Sequence, residues 1–182
     1  MRIVVSGTHA SGKSTLISDF AVRHPEFTVL PDPFDLLDET WDEPGAGMFA
    51  RQLRLSADRL VSDEFTGDVI AERGPLDFLA YLAAVEELTG DARSPELLER
   101  STSLTAEAMC EVDLLVVLPL TDADPIVVGD DEDPELRGAM NDALLDLVDD
   151  LDLIDARTHV AEIAGTPGER LAALESLVAR YR

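Results

Sequence analysis

Gly7-Thr8-His9-Ala10-Ser11-Gly12-Lys13-Ser14-Thr15 follows directly on the β-rich run Arg2 to Ser6 and leads into a stretch of helical periodicity. The spacing G-x-x-x-x-G-K-S in a strand-to-helix setting points to phosphate chemistry rather than to packing. Its glycines let the main chain wrap closely round an anion, so that backbone N–H groups and the positive end of the next helix face phosphate oxygens. Lys13 is placed to reach the β- and γ-phosphates of a nucleoside triphosphate, and Ser14 to offer its hydroxyl to Mg²⁺. Lys13 is also the single lysine among 14 basic residues. A compact ammonium suits such a loop, whereas a planar guanidinium fits it badly. His9 lies within a loop that binds through its backbone and reads as a spacer.

Other candidates recur at matching places along the chain. Pro31-Asp32-Pro33 follows a second β-rich run, Glu72-Arg73 a third, and Gly165-Thr166-Pro167-Gly168-Glu169-Arg170 the last. Asp32 is either a base for a hydroxyl proton or a turn residue between prolines. Glu72 and Arg73 form either a functional pair or a plain ion pair at a sheet edge. Gln52 and Arg59 are seven residues apart on a predicted helix and so share a face. That face is either solvated or a reader of a base edge, for which the amide of Gln52 offers both donor and acceptor. Trp41, the only tryptophan, precedes this helix, where its ring could stack on a heteroaromatic acceptor or anchor the loop.

The elements that must position these residues read as alternating strands and helices. Five β-rich runs, Arg2 to Ser6, Phe27 to Leu30, Asp68 to Glu72, Asp113 to Leu118 and His159 to Ile163, are separated by apolar residues at helical spacing. The helical faces are Leu16, Ile17, Phe20 and Ala21, then Phe49, Leu53, Ala57 and Leu60, then Leu76, Leu79, Ala80 and Ala83. Leu97, Leu98, Ser101, Leu104 and Ala108 follow, then Leu136, Met140, Leu144, Leu147 and Leu151, and last Leu171, Leu174 and Val178. This order predicts right-handed crossovers, a parallel sheet covered on both faces, and ligands at the carboxyl ends of the strands.

Length and composition set the outer bounds. The 182 residues, 46% apolar and 29% charged, predict one globular domain over 1–182. A net charge of −24 would repel nucleic acid and anionic membrane alike, so neither is expected as a partner. The lone Cys110 makes no internal disulfide and reads as a small buried hydrophobe. No secretory h-region opens the chain, and its longest apolar run, about Leu114 to Leu120, is far short of the ~20 residues of a membrane span. A soluble, cytoplasmic protein is expected. Oligomeric state is not legible, and a homodimer is admitted.

Guanine-binding switch proteins read their base with Asn-Lys-x-Asp, which a chain with one lysine, in its phosphate loop, cannot contain. The remaining motifs resemble the nucleoside and nucleotide kinases, and in particular the small AAA-type ATPase family grouped with nicotinamide riboside kinase domains. The resemblance covers nearly the whole chain. Its most specific element is the phosphate loop, and its next is Glu72-Arg73-Gly74-Pro75-Leu76-Asp77. It implies a three-layer α/β/α phosphate-loop (P-loop) NTPase fold with a five-stranded parallel sheet and a helical lid over approximately 122–155, binding ATP, Mg²⁺ and a small-molecule acceptor.

By that resemblance Lys13, Asp32, Arg73 and Arg137 are the catalytic residues, with Asp32 as base and Arg73 holding the acceptor end or Asp32. Glu72, with Ser14, would order Mg²⁺ or its waters. Gln52 and Arg59, after Phe49, would read the acceptor's base edge beside Trp41, and Asp77 stands one position from where some such kinases place a base-reading Asp. Gly165 and Arg170 would meet adenine, although a helix cap at Thr166 explains the same residues. The expected lid departs from the family pattern, carrying one arginine, Arg137, among thirteen acids from Asp122 to Asp155. Mutual repulsion predicts that Gly129 to Asp150 is mobile without nucleotide. An ATP-dependent kinase acting on a nucleoside-like hydroxyl is the first reading. A regulatory or switch-type ATPase is the alternative, as is a nucleoside monophosphate kinase, which is weakened by the lack of a dense arginine cluster for a second phosphate but kept open by Arg51, Arg54 and Arg59 along one helix.

Overall fold

In a computed structural model, which describes residues 1–36, 45–90, 95–121 and 133–182, the chain folds around one parallel sheet. The strands are β1 (Arg2–Ser6), β2 (Thr28–Leu30), β3 (Val69–Glu72), β4 (Leu114–Val117) and β5 (His159–Glu162), in the order β2-β3-β1-β4-β5. All five runs read from the sequence are strands. Six helices occur among the described residues: α1 (Lys13–Arg23), α2 (Ala46–Val61), α3 (Pro75–Thr89), α4 (Pro95–Met109), α5 (Pro134–Leu147) and α6 (Pro167–Tyr181). None is long and apolar enough to cross a membrane.

Alternation along the strands divides the core in two. Ile3, Val5, Leu114 and Val116 face α1 and α6, where Leu16, Phe20, Leu171 and Leu174 meet them. Val4, Ala71, Leu115 and Val117 face the other way, onto Leu53, Leu76, Leu79, Met140 and Leu144 of α2, α3 and α5. The result is the three-layer α/β/α arrangement. Each fully buried Leu or Phe contributes about 1.5–3 kcal/mol by leaving water, so both layers are held to the sheet.

Leu151 and Cys110 depart from their expected places. α5, within the span read as a lid, packs Met140 and Leu144 into the core beside α3. Apolar burial of this face outweighs the repulsion of its outward acids, which keep their hydration. Leu151 does not continue that face. α5 ends at Leu147, and Leu151 in the following turns is 88% exposed while Leu153 and Ile154 are buried in its place. Cys110, expected inside, is exposed at the end of α4.

Register fixes the site. Val5 pairs with Glu72 and Ser6 with Val117, so the loop leaving β1 and the Glu72-Arg73 corner leave the sheet at the same level, where the neighbours of β1 diverge.

Candidate phosphate and acceptor site

The loop between β1 and α1 has the backbone its sequence requires. Gly7 has φ 153°, and a Cβ there would come within 2.6 Å of Ser11 Oγ and 2.8 Å of the Leu118 carbonyl. Only glycine fits so close an approach. Gly12, left-handed at φ 90°, precedes α1 and provides no side-chain cap. The first turn of α1 also carries no acidic residue, unlike those of α3, α4, α5 and α6. Its free N–H groups and helix dipole are therefore left for an anion.

Lys13 is buried, and its Nζ donates to the Thr8 carbonyl at 2.7 Å and to Ser11 Oγ at 3.4 Å. Burial, followed by the nearby Arg73 guanidinium, lowers its pKa to about 7, against the opposing pull of Asp77, Asp32 and Glu72. Ser14 Oγ donates to Glu72 Oε1 at 2.6 Å. One hydroxyl and one carboxylate oxygen, both reachable from solvent, form a hard-oxygen donor pair of the kind Mg²⁺ takes while keeping waters and substrate phosphates as its other ligands. Among the described residues no larger group of metal-ligating side chains gathers. Thr15 is exposed on the first turn of α1 and His9 is exposed in the loop.

Arg73 joins the phosphate loop to Asp32 after β2. Its backbone is left-handed at φ 63°, which turns a buried side chain back toward the sheet edge. Nε donates to Asp32 Oδ2 at 2.7 Å and Nη1 to the Gly7 carbonyl at 3.0 Å, while the guanidinium lies 5.5 Å from the Phe34 ring centre and 5.4 Å from that of Tyr81. Asp32 Oδ1 accepts from the Phe34 N–H at 3.1 Å. Each carboxylate oxygen has two lone-pair sites, so Asp32 retains acceptor capacity beyond these bonds.

The other candidates divide. Gln52 is buried on α2 with its Oε1 unpartnered, and the Thr8 hydroxyl is a second buried oxygen without a partner. Such atoms cost about 1–3 kcal/mol unless something donates to them. Arg59, on the same helix, donates from Nη1 to the Pro31 carbonyl at 2.8 Å and holds the segment carrying Asp32. Asp77 is closed off from solvent. It is fully buried, accepting from Ser6 Oγ at 2.6 Å, Gly7 N at 2.9 Å and Gly74 N at 2.8 Å. Burial pushes its carboxyl above the usual range against the pull of Arg73 and these three bonds.

Arg170 does not lie open to an adenine ring but is buried, with Nη1 donating to the Ser11 carbonyl at 2.7 Å. At Gly165, φ is 105° and the Glu169 carboxylate comes within 2.8 Å of where a Cβ would stand; that carboxylate caps Thr166 at the start of α6. The capping alternative accounts for this glycine. Arg137 reaches the loop itself, with Nε on the His9 carbonyl at 2.9 Å and Nη2 on that of Ala10 at 3.2 Å. Trp41 lies outside the described residues, as do 122–132 of the expected lid. Sequence reasoning missed Ser6, Phe34 and Tyr81. Gly74 was legible only as part of its motif, yet a Cβ there would come within 2.8 Å of Val4.

No family model and no curated protein matches the chain. Solved structures do share its fold. A thymidylate kinase from Candida albicans superposes with a TM-score of 0.64 at 15% identity, over 98% of this chain and 91% of that one. A deoxyadenosine kinase from M. mycoides with bound dATP gives 0.67 at 11% identity, over 98% and 99%. NadR protein in complex with NR gives 0.64 at 18% identity, and this chain, matched over 99%, spans 51% of it. The chain has the fold of the P-loop nucleoside and nucleotide kinases that its phosphate loop and Glu72-Arg73 corner resemble.

Proposed function

We propose that the protein is an ATP- and Mg²⁺-dependent kinase that transfers the γ-phosphate to a hydroxyl of a nucleoside-like small molecule. The observation that carries this reading is the single guanidinium of Arg73, which spans from the Gly7 carbonyl of the phosphate loop to the Asp32 carboxylate. A transferase needs a base beside the phosphate loop to take the acceptor proton, and Asp32, held there by Arg73 apart from the Ser14–Glu72 pair, supports that role. The acceptor O–H gives its proton to Asp32 as its oxygen attacks the γ-phosphorus in line; the bond to the β-phosphate oxygen breaks and ADP leaves. Lys13 and the loop amides stabilise the charge that develops. Ser14 and Glu72 would hold Mg²⁺, which when bound neutralises phosphate charge.

The unpartnered Gln52 Oε1 supports an acceptor that carries a hydrogen-bond donor such as an exocyclic amine or ring N–H. The M. mycoides and C. albicans neighbours, a deoxyadenosine kinase and a thymidylate kinase, support the same class of ligand. A screen of ATP consumption with Mg²⁺ across nucleosides, ribosides and simple polyols tests it. Consumption that depends on one nucleoside-like acceptor is the result expected. Slow hydrolysis indifferent to every acceptor would replace the kinase with an ATPase.

A further inference from the structure

The phosphate loop meets cations at consecutive carbonyls. Arg73 Nη1 donates to Gly7 O at 3.0 Å, Arg137 Nε to His9 O at 2.9 Å, Arg137 Nη2 to Ala10 O at 3.2 Å and Arg170 Nη1 to Ser11 O at 2.7 Å. The remaining one, Thr8 O, accepts from the loop's own Lys13 at 2.7 Å. The three arginines come from three places in the sequence: the β3–α3 corner, α5 and α6. In a chain of net charge −24 whose 14 basic residues include 13 arginines, such convergence is not a by-product of composition.

Peptide planarity gives it a consequence. The peptide bonds of this loop are trans, so the C=O of one residue and the N–H of the next point in opposite directions. Fixing the carbonyls of Gly7, His9, Ala10 and Ser11 therefore aims the N–H groups of Thr8, Ala10, Ser11 and Gly12 to the other side of the loop. Ala10 is left-handed at φ 50°, a conformation an alanine holds only when its surroundings impose it. The two Arg137 bonds bracket it.

We propose that Arg137 and Arg170 are positioning residues, which act by clamping the carbonyls of the phosphate loop and so preorganise its amides for the polyphosphate part of a nucleotide. Neither one serves as a holder of adenine or a sliding γ-phosphate clamp. The inference rests on the reading of this loop as a nucleotide site, but not on any acceptor.

Binding of Mg·ATP and of Mg-tripolyphosphate, measured by calorimetry in Arg170→Met and Arg170→Lys, tests it. Loss of one charge-assisted bond to the loop weakens both ligands by the same factor, roughly 10- to 100-fold. Arg170→Lys, which restores one donor, recovers much of both. A loss confined to ATP, with tripolyphosphate unchanged, would assign Arg170 to adenine and overturn the clamp. Should Arg170→Met fail to fold, the half-buried Arg137→Met carries the same test, and unchanged affinity for both ligands refutes the proposal. A wild type that binds polyphosphate without transferring phosphate defeats the kinase reading alone. A wild type that binds neither ligand defeats both.

Discussion

On the proposed function, the burial of Lys13 couples nucleotide binding to uptake of a proton. Its ammonium is buried beside Arg73, and its pKa is lowered to about 7 from an ordinary 10.5. At pH 8 only about a tenth of the free protein carries the proton on Lys13. A bound triphosphate places several negative charges against this nitrogen and restores the charged form, so binding at pH 8 takes up about 0.9 proton. Mg·ATP has no proton of its own to supply there, since its phosphates titrate near ~6. Affinity must accordingly fall by up to about tenfold per unit as pH rises above 7.

The sign for stability is opposite. Between 7 and 10.5 the unfolded chain binds the proton that the folded chain has lost, so in the free protein the Lys13 contribution grows more favourable as pH rises. Calorimetric titration with Mg·ATP at pH 8, in buffers of different ionisation enthalpy, reads the proton number directly as a slope. The expected slope is close to one proton taken up, and it disappears in Lys13→Met if residual binding is measurable. A slope of zero in the wild type would show that Lys13 is already charged in the free protein and would refute the argument from burial.

Three further outcomes follow from the geometry. Asp32→Asn keeps the shape beside Arg73 and removes proton acceptance, so single-turnover transfer to the identified acceptor should fall by about 10²- to 10⁴-fold with ATP affinity little changed. Gly74→Ala drives a Cβ to 2.8 Å from the buried, β-branched Val4 and should cost about 1–3 kcal/mol, read as a lower midpoint in thermal unfolding. Leu144→Ala, in the core face of α5, should cost about 2–5 kcal/mol. Leu151→Ala should stay within about 0.5 kcal/mol, and a comparable loss at both positions would contradict the description of α5.

The sheet was legible because its strands are short apolar runs bounded by loops, and parallel strands buried on both faces leave that signature wherever they occur. The phosphate loop was legible because its chemistry is local, confined to nine consecutive residues. What the sequence concealed was the direction of long side chains. Arg59, Arg137 and Arg170 were each read as aimed at a ligand, and each donates to a backbone carbonyl. A motif fixes where an arginine starts, but its long side chain ends on whichever acceptor the fold brings near, here an exposed carbonyl at Pro31 and His9 and a buried one at Ser11. Asp77 shows the same limit, because helix spacing cannot reveal that Ser6, Gly7 and Gly74 already occupy its oxygens. The acidity of the segment also hid the inward face of α5, since charge on the outward side of a helix leaves Met140 and Leu144 free to pack.

The fate of the γ-phosphate tests the central claim most directly. With γ-labelled ATP, Mg²⁺ and an acceptor chosen by the consumption screen, a single turnover is quenched and the label partitioned between the acceptor and inorganic phosphate. Label on the acceptor hydroxyl in the wild type, sharply reduced in Asp32→Asn, is the predicted result. Label released wholly as inorganic phosphate, at a rate indifferent to the acceptor and to Asp32, would contradict it.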